Sequence, residues 1–206
     1  MINGESRFFV PSKLLRTLHV LTEIGRQPDI SQHQLALRAR LSSSQINNYV
    51  KELKAKGLVN TKGNTNRTMR YLLTPEGHRT RSSLLVAYSV DVIQLYSRVK
   101  REFAAKLQQI FDEGLARVIL FGAAETGELA LTASRETDLD VIGISDNDPL
   151  KHGKPFGDLR IIPPSEIEGL NPDGIVITSF GRLGEILESL RFLEKKGIAM
   201  RSLTDE

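Results

Sequence analysis

Apolar residues first recur at helical spacing from Leu14. Leu14, Leu15, Leu18, Leu21 and Ile24, with Thr22 among them, predict an amphipathic helix over residues 11–26, opened by Pro11 in its first turn. Ser31 is a good N-cap for a short second helix running to about Arg38. Ser42 caps a third helix whose apolar face is Ile46, Tyr49, Val50 and Leu53 and which ends at Gly57. Two helices joined by so tight a turn predict a helix-turn-helix. The run LVNTKGNTNRTMRYLLT then holds two short β-prone segments about KGNTN, a hairpin. From Thr74 and Pro75 nothing breaks a helix before Gly114, and Val92, Tyr96, Val99, Phe103, Leu107 and Ile110 form an apolar stripe along it.

From Arg117 the period changes. RVILF, LDVIGI, LRII, GIVIT and IAMRS are short runs rich in Val and Ile, separated by helical segments at about 125–135, 165–170 and 182–197. Strands alternating with helices predict a parallel sheet, and right-handed crossovers predict the order 3-2-1-4-5. The expected fold is an α+β winged helix (1–79), a long connecting and dimerisation helix (80–115) and an α/β Rossmann-like ligand-binding domain (116–206).

Charge sharpens this division. Residues 1–117 carry 19 Lys and Arg against 9 Asp and Glu, net +10, whereas residues 118–206 carry 9 against 16, net −7. A basic half suits a polyanion, and an acidic half must do something else. No apolar run reaches the roughly 20 residues of a bilayer span, and MINGESRFF lacks the plan of a secretory signal, so a cytoplasmic protein without a membrane partner is expected. The chain has no cysteine, and His19, His33, His78 and His152 have no metal-ligand spacing; neither a metal nor a catalytic set of nucleophile, base and oxyanion donors is expected.

On the third helix the spacing leaves Ser43, Ser44, Gln45, Asn47, Asn48 and Lys51 on or beside the outward face. Asn and Gln can pair with adenine, Ser can meet several base edges, and Lys51 and Lys54 can neutralise phosphates. The hairpin carries Lys62, Asn64, Asn66, Arg67 and Arg70 toward its tip, a wing for a DNA backbone or minor groove. From Leu14 to about Arg79 the chain resembles the winged-helix domain of MarR-type regulators: an LA pair in the small helix, a polar recognition helix, KGLV, a basic wing and LTPEG at Leu73–Gly77. It departs at Arg40, where the family usually has glycine. A roughly 40-residue helix exceeds what either small domain needs, which predicts a homodimer packed along it and a palindromic site on double-stranded DNA.

The stretch VILFGAAETG, followed by SDND, can be a nucleotide cradle, with Gly122 at the tight turn, Gly127 letting helix meet strand, and Asp146 placed for a ribose. Ala124 in the place of the middle glycine and the charge of Glu125 argue against ordinary NAD binding. The same stretch can instead belong to a nucleotidyltransferase, or a related sugar-nucleotide-modifying enzyme, with Asp138 and Asp140 on magnesium. Residues 118–203, through VIGISDNDPLKHGKPFGDLRII, PPSEI and DGIVITS, resemble the small Rossmann-like domains at the front of sugar acyltransferases and polysaccharide-biosynthesis epimerases or dehydratases. That resemblance favours the cradle and implies a pocket of Gly122, Ala123, Ala124, Glu125, Thr126, Asp146, Asn147, Ser179, Phe180 and Gly181. Its ligand would be a nucleotide, a nucleotide-sugar or NAD(H), acting as effector rather than redox cofactor. The redox-sensing repressors called Rex pair similar modules in this order. Together these imply a non-enzymatic, ligand-responsive transcriptional regulator, with control of polysaccharide biosynthesis suggested by the relatives of the acidic half.

Overall fold

The computed structural model describes residues 10–63, 65, 68–179, 181 and 183–203. The expected sites Asn64, Asn66, Arg67 and Phe180 lie outside the described residues. The chain divides into two compact units, Met1–Ile93 and Gln94–Glu206.

In the first unit α1 spans Lys13–Arg26. The Ser12 hydroxyl accepts from the Leu15 amide, so the helix begins after Pro11 rather than with it. Leu18, Val20, Leu21 and Ile24 are buried, while Leu14, expected on the apolar face, is exposed. Helix α2 (Gln32–Ala39) and helix α3 (Ser43–Ala55) each open on a capping box, Ser31 with Gln34 and Ser42 with Gln45. Arg40, between them, takes the left-handed conformation (φ 53°) that explains why glycine suits this position. Strands β1 (Val59–Lys62) and β2 (Arg70–Leu73) pair antiparallel from Val59 opposite Leu73 to Lys62 opposite Arg70. Ile30 bridges to Tyr71. One core joins these pieces through Leu21, Ile24, Leu35, Ile46, Val50, Leu53 and Tyr71.

Helix α4 (Pro75–Asp112) runs unbroken for 38 residues, from the first unit into the second. Thr74 caps it, its hydroxyl accepting from the Gly77 amide at 2.9 Å. A Cβ on Gly77 would lie 2.0 Å from the Leu58 carbonyl oxygen, so glycine is what lets the helix start against the wing. The expected stripe on α4 has two fates. Phe103, Leu107 and Ile110 are buried in the core of the second unit, and Val99 packs against it. Val92 and Tyr96 are exposed. An intrachain partner, the sheet, thus takes the C-terminal half of a stripe expected to meet a second copy.

The second unit is a mixed sheet with helices. Its strands are β3 (Arg117–Phe121), β4 (Asp140–Ser145), β5 (Pro155–Phe156), β6 (Leu159–Ile162), β7 (Gly174–Ile177) and β8 (Ala199–Ser202). They lie in the order β5-β6-β4-β3-β7-β8, parallel at every pair except β5 with β6. Helix α5 (Glu125–Ser134) follows β3 and α6 (Leu183–Glu194) follows β7. The segment expected to be helical at 165–170 is two short 3-10 turns, Pro164–Glu166 and Glu168–Leu170, the second ended by Asn171 in the left-handed region. A buried run in β3 (Val118–Phe121) feeds cores on both faces of the sheet.

Candidate nucleic-acid interface and ligand crevice

Burial of Ile46, Val50 and Leu53 turns the opposite side of α3 outward, where Ser43, Ser44, Gln45, Asn47, Asn48, Lys51 and Lys54 are all exposed. Exposed they are, but not equally free. Gln45 closes the capping box through Oε1 on the Ser42 amide (2.9 Å), and Asn47 Oδ1 accepts from Gln32 Nε2 (2.9 Å). The hydroxyls of Ser42 and Ser44 are 2.9 Å apart, and Lys54 Nζ donates to Thr61 on β1 (3.1 Å). Among the described residues the side chains of Asn48 and Lys51 have no hydrogen-bond partner. On the wing, Lys62 is exposed beside Arg70, whose Nη1 donates to the Met69 carbonyl. Gln32, buried in the first turn of α2, was not visible from sequence as a support beneath this surface, because its partner lies 15 residues away.

The second cluster sits at the C-terminal ends of β3 and β4. Gly122 has φ 114°, and a Cβ there would lie 2.9 Å from Thr178 Oγ1 and 3.6 Å from the Ser179 Cβ. Ala124 begins α5 without a side-chain cap, and Glu125 and Glu128 occupy its first turn. Asp146 follows β4 and its carboxylate is already engaged. Oδ2 accepts from the Ala123 amide (2.8 Å) and from Lys151 Nζ (2.7 Å), while Oδ1 accepts from the Asp148 amide (2.9 Å). Lys151 Nζ also donates to the Ala123 carbonyl (3.0 Å), and a ring nitrogen of His152 lies 2.8 Å from the Asp146 carbonyl oxygen. The Ala124 amide donates to the Gly122 carbonyl (3.1 Å). The groups expected to meet ribose and phosphate therefore begin in an internal lock, and Asn147 Nδ2 reaches toward Ser189 (3.3 Å) on α6. Glu125 and Thr126 lie beside the turn, and Gly181 is exposed. Lys151 is the member that reading the residues one by one missed; its signal was the lysine within DNDPLK.

Burial alone would push the Asp146 carboxyl up, and this is the largest single influence. The hydrogen bonds from Lys151 and the two amides, with the lysine charge, outweigh it and hold the group below its ordinary value. A depressed folded value means stability that is present above the unfolded carboxylate pKa, about 3.9, and lost as pH falls below it. We expect Asp146→Asn to cost about 2 kcal/mol at neutral pH, the worth of charge-assisted hydrogen bonds, and to flatten the loss of stability below about pH 4. Urea midpoints of the second unit against pH, in both proteins, measure it.

Of the carboxylates of the magnesium alternative, Asp140 is exposed at the start of β4 and Asp138 lies two residues before it. Asp138 accepts from Gln108 Nε2 (3.2 Å) and its amide donates to Gln108 Oε1 (3.1 Å), which pins α4 to the start of β4. Among the described residues no three acidic or histidine side chains gather as a metal site would require. No helix among them is long and apolar enough to cross a membrane.

Residues 15–69 match the model of the MarR family, and residues 114–199 match one described as C2185-like, N-terminal. The first match falls on the winged helix of the first unit. No curated protein matches the chain. Among solved structures, the transcriptional regulator BldR from Sulfolobus solfataricus is 24% identical, with a TM-score of 0.37 over 40% of this chain and 60% of that one. A MarR-family regulator from Rhodococcus sp. RHA1 is 25% identical (TM-score 0.38, 40% of this chain and 61% of that one). Sso10a-2, a DNA-binding protein from Sulfolobus solfataricus, is 16% identical (TM-score 0.39, 43% and 90%). The chain thus spans about 60% of the length of the two regulators.

Proposed function

We propose that the protein is a ligand-responsive, DNA-binding transcriptional regulator that works as a homodimer on a palindromic operator in double-stranded DNA. The observation that carries this reading is the exposed polar face of α3 beside a basic wing, within the segment that matches the MarR family. Ser43, Ser44, Gln45, Asn47 and Asn48 face base edges, while Lys51, Lys54, Lys62 and Arg70 meet phosphates. Arg67 and Asn64 extend the wing contact in this reading. A dimer is supported by Leu85, Val86, Tyr88, Val90, Val92, Ile93, Leu95 and Tyr96, which crowd exposed onto α4.

The titration that tests this compares a selected operator with random duplex across salt concentrations. Asn48→Ala lowers discrimination by about 1–3 kcal/mol at the base pair it faces, and Lys62→Ala weakens both DNAs alike and reduces the salt slope by about one. Equal loss on both DNAs from Asn48→Ala would remove it from base reading. No binding at low salt would end the proposal.

The second unit is read as a Rossmann-like sensor. Counted along the chain, its parallel strands lie 3-2-1-4-5, and the crevice belongs where the crossovers diverge, above β3 and β7. The effector is a nucleotide, nucleotide-sugar or NAD(H), held by Gly122 to Thr126, Asp146, Asn147 and Ser179 to Gly181. The internal lock defines how it enters: an incoming phosphate draws Lys151 from Asp146, whose freed oxygen then accepts from the ligand. Coupling of about 1–3 kcal/mol through α4 changes operator occupancy about 5- to 150-fold. Control of polysaccharide biosynthesis rests on the resemblance of residues 118–203 alone. A thermal-shift screen of these ligand classes finds the effector by mass action.

A further inference from the structure

We propose that Gln32 is a positioning residue that fixes the polarity of the Asn47 amide, so that Asn47, beside a Gln45 held by the Ser42 amide, presents a donor and selects guanine rather than adenine. The inference rests on the DNA-binding reading above. Gln32 is 8% exposed, and its Nε2 lies 3.3 Å from the Ser43 carbonyl oxygen and 2.9 Å from the Asn47 amide.

A backbone carbonyl can only accept, so the Gln32 atom facing Ser43 is the nitrogen. The Asn47 atom facing that same nitrogen must then be its oxygen. Asn47 is thereby turned with Oδ1 toward α2 and Nδ2 away. Gln45 is fixed by the mirror argument: the Ser42 amide can only donate, so the atom 2.9 Å from it is Oε1, leaving Nε2 for solvent.

Pairing with adenine needs an amide oxygen and nitrogen side by side, to accept from N6 and donate to N7. Guanine offers two acceptors, O6 and N7. Two amides with their oxygens turned inward suit guanine, and the Lys51 ammonium, one helical turn beyond Asn47, adds a third donor. Asn48, with no partner among the described residues, keeps both edges and remains able to read adenine.

Two measurements test this on the full-length protein. In the DNA-free protein, side-chain amide exchange followed by NMR is expected to be slow for Gln32 and fast for Asn47; slow exchange at Asn47 with fast exchange at Gln32 would reverse the polarity. Selection from a randomised duplex pool is expected to favour guanine over adenine opposite Asn47 by about fivefold or more. Gln32→Met should relax that preference to near unity while leaving affinity for random duplex unchanged. Gln32→Glu, whose carboxylate accepts from Nδ2, should turn the Asn47 amide round and move the preference toward bases that donate. Adenine selected by the wild type, or a guanine preference that survives in both folded variants, overturns the proposal. A wild type that binds no duplex at low salt removes the DNA reading and the guanine preference with it, and the amide exchange still reports which way Asn47 points.

Discussion

Val86→Glu combined with Ile93→Glu is expected to leave a folded monomer whose affinity for a two-half-site operator falls about 100- to 10,000-fold, the range that linking two binding events supplies. Val86, Val90 and Ile93 follow one another at steps of 4 and 3 along α4, and Leu85, Tyr88, Val92 and Tyr96 at 3, 4 and 4. Those are the intervals of helix seams. Val86 and Ile93 are 64% and 62% exposed, so replacing them removes little packing within one chain, and the circular dichroism spectrum should not change. In a symmetric pair, each glutamate would bring a like charge into an apolar seam and lose its hydration there. Sedimentation equilibrium checks the state of assembly, and a titration with a one-half-site duplex checks that each monomer still binds. A variant that remains dimeric would take α4 residues 86–93 out of the interface.

Gly127→Ala should cost about 3 kcal/mol in the second unit, at the upper end for overpacking a tight site. The added Cβ would sit 2.3 Å from the Gly122 carbonyl oxygen and 3.3 Å from the ring of Phe156. That carbonyl cannot swing aside easily, because it already accepts from Thr178 Oγ1 (2.9 Å) and from the Ala124 amide (3.1 Å). The helix must instead lift from β3, which disturbs the turn at Gly122 between them. For a unit of this size the loss lowers its melting temperature by more than about 10 °C. The first unit has its own core, so DNA binding should survive while the response to ligand disappears. Unchanged melting and an intact ligand response would show that α5 does not need this close approach.

Much of this was legible along the chain because it is local. Ser31 and Ser42 announce their helices through the residues three positions on, and Gly122, Gly127 and Asp146 stand at spacings that a strand-turn-helix requires. What escaped depends on partners distant in sequence. A stripe from Val92 to Ile110 says that one face is covered, but its period cannot say by what; Phe103, Leu107 and Ile110 meet a sheet that starts only at Arg117. Asp146 was recognisable as a carboxylate just past the end of a strand. Its lock with Lys151 and Ala123 is a competition between donors that only geometry decides. The same holds for Asn47, legible as a polar residue on an outward face but oriented by a glutamine on another helix. The two 3-10 turns near 165–170 show the converse, since apolar spacing over six residues does not separate a helix from successive tight turns.

In the proposed regulator two copies of α3 enter the duplex together. Hydroxyl-radical footprinting of the full-length protein on a selected operator at low salt measures this directly. Two protected patches about 10 base pairs apart, both lost in the Val86→Glu, Ile93→Glu protein at the same concentration, are what the structure leads us to expect. One patch only, or none at any concentration, would contradict it.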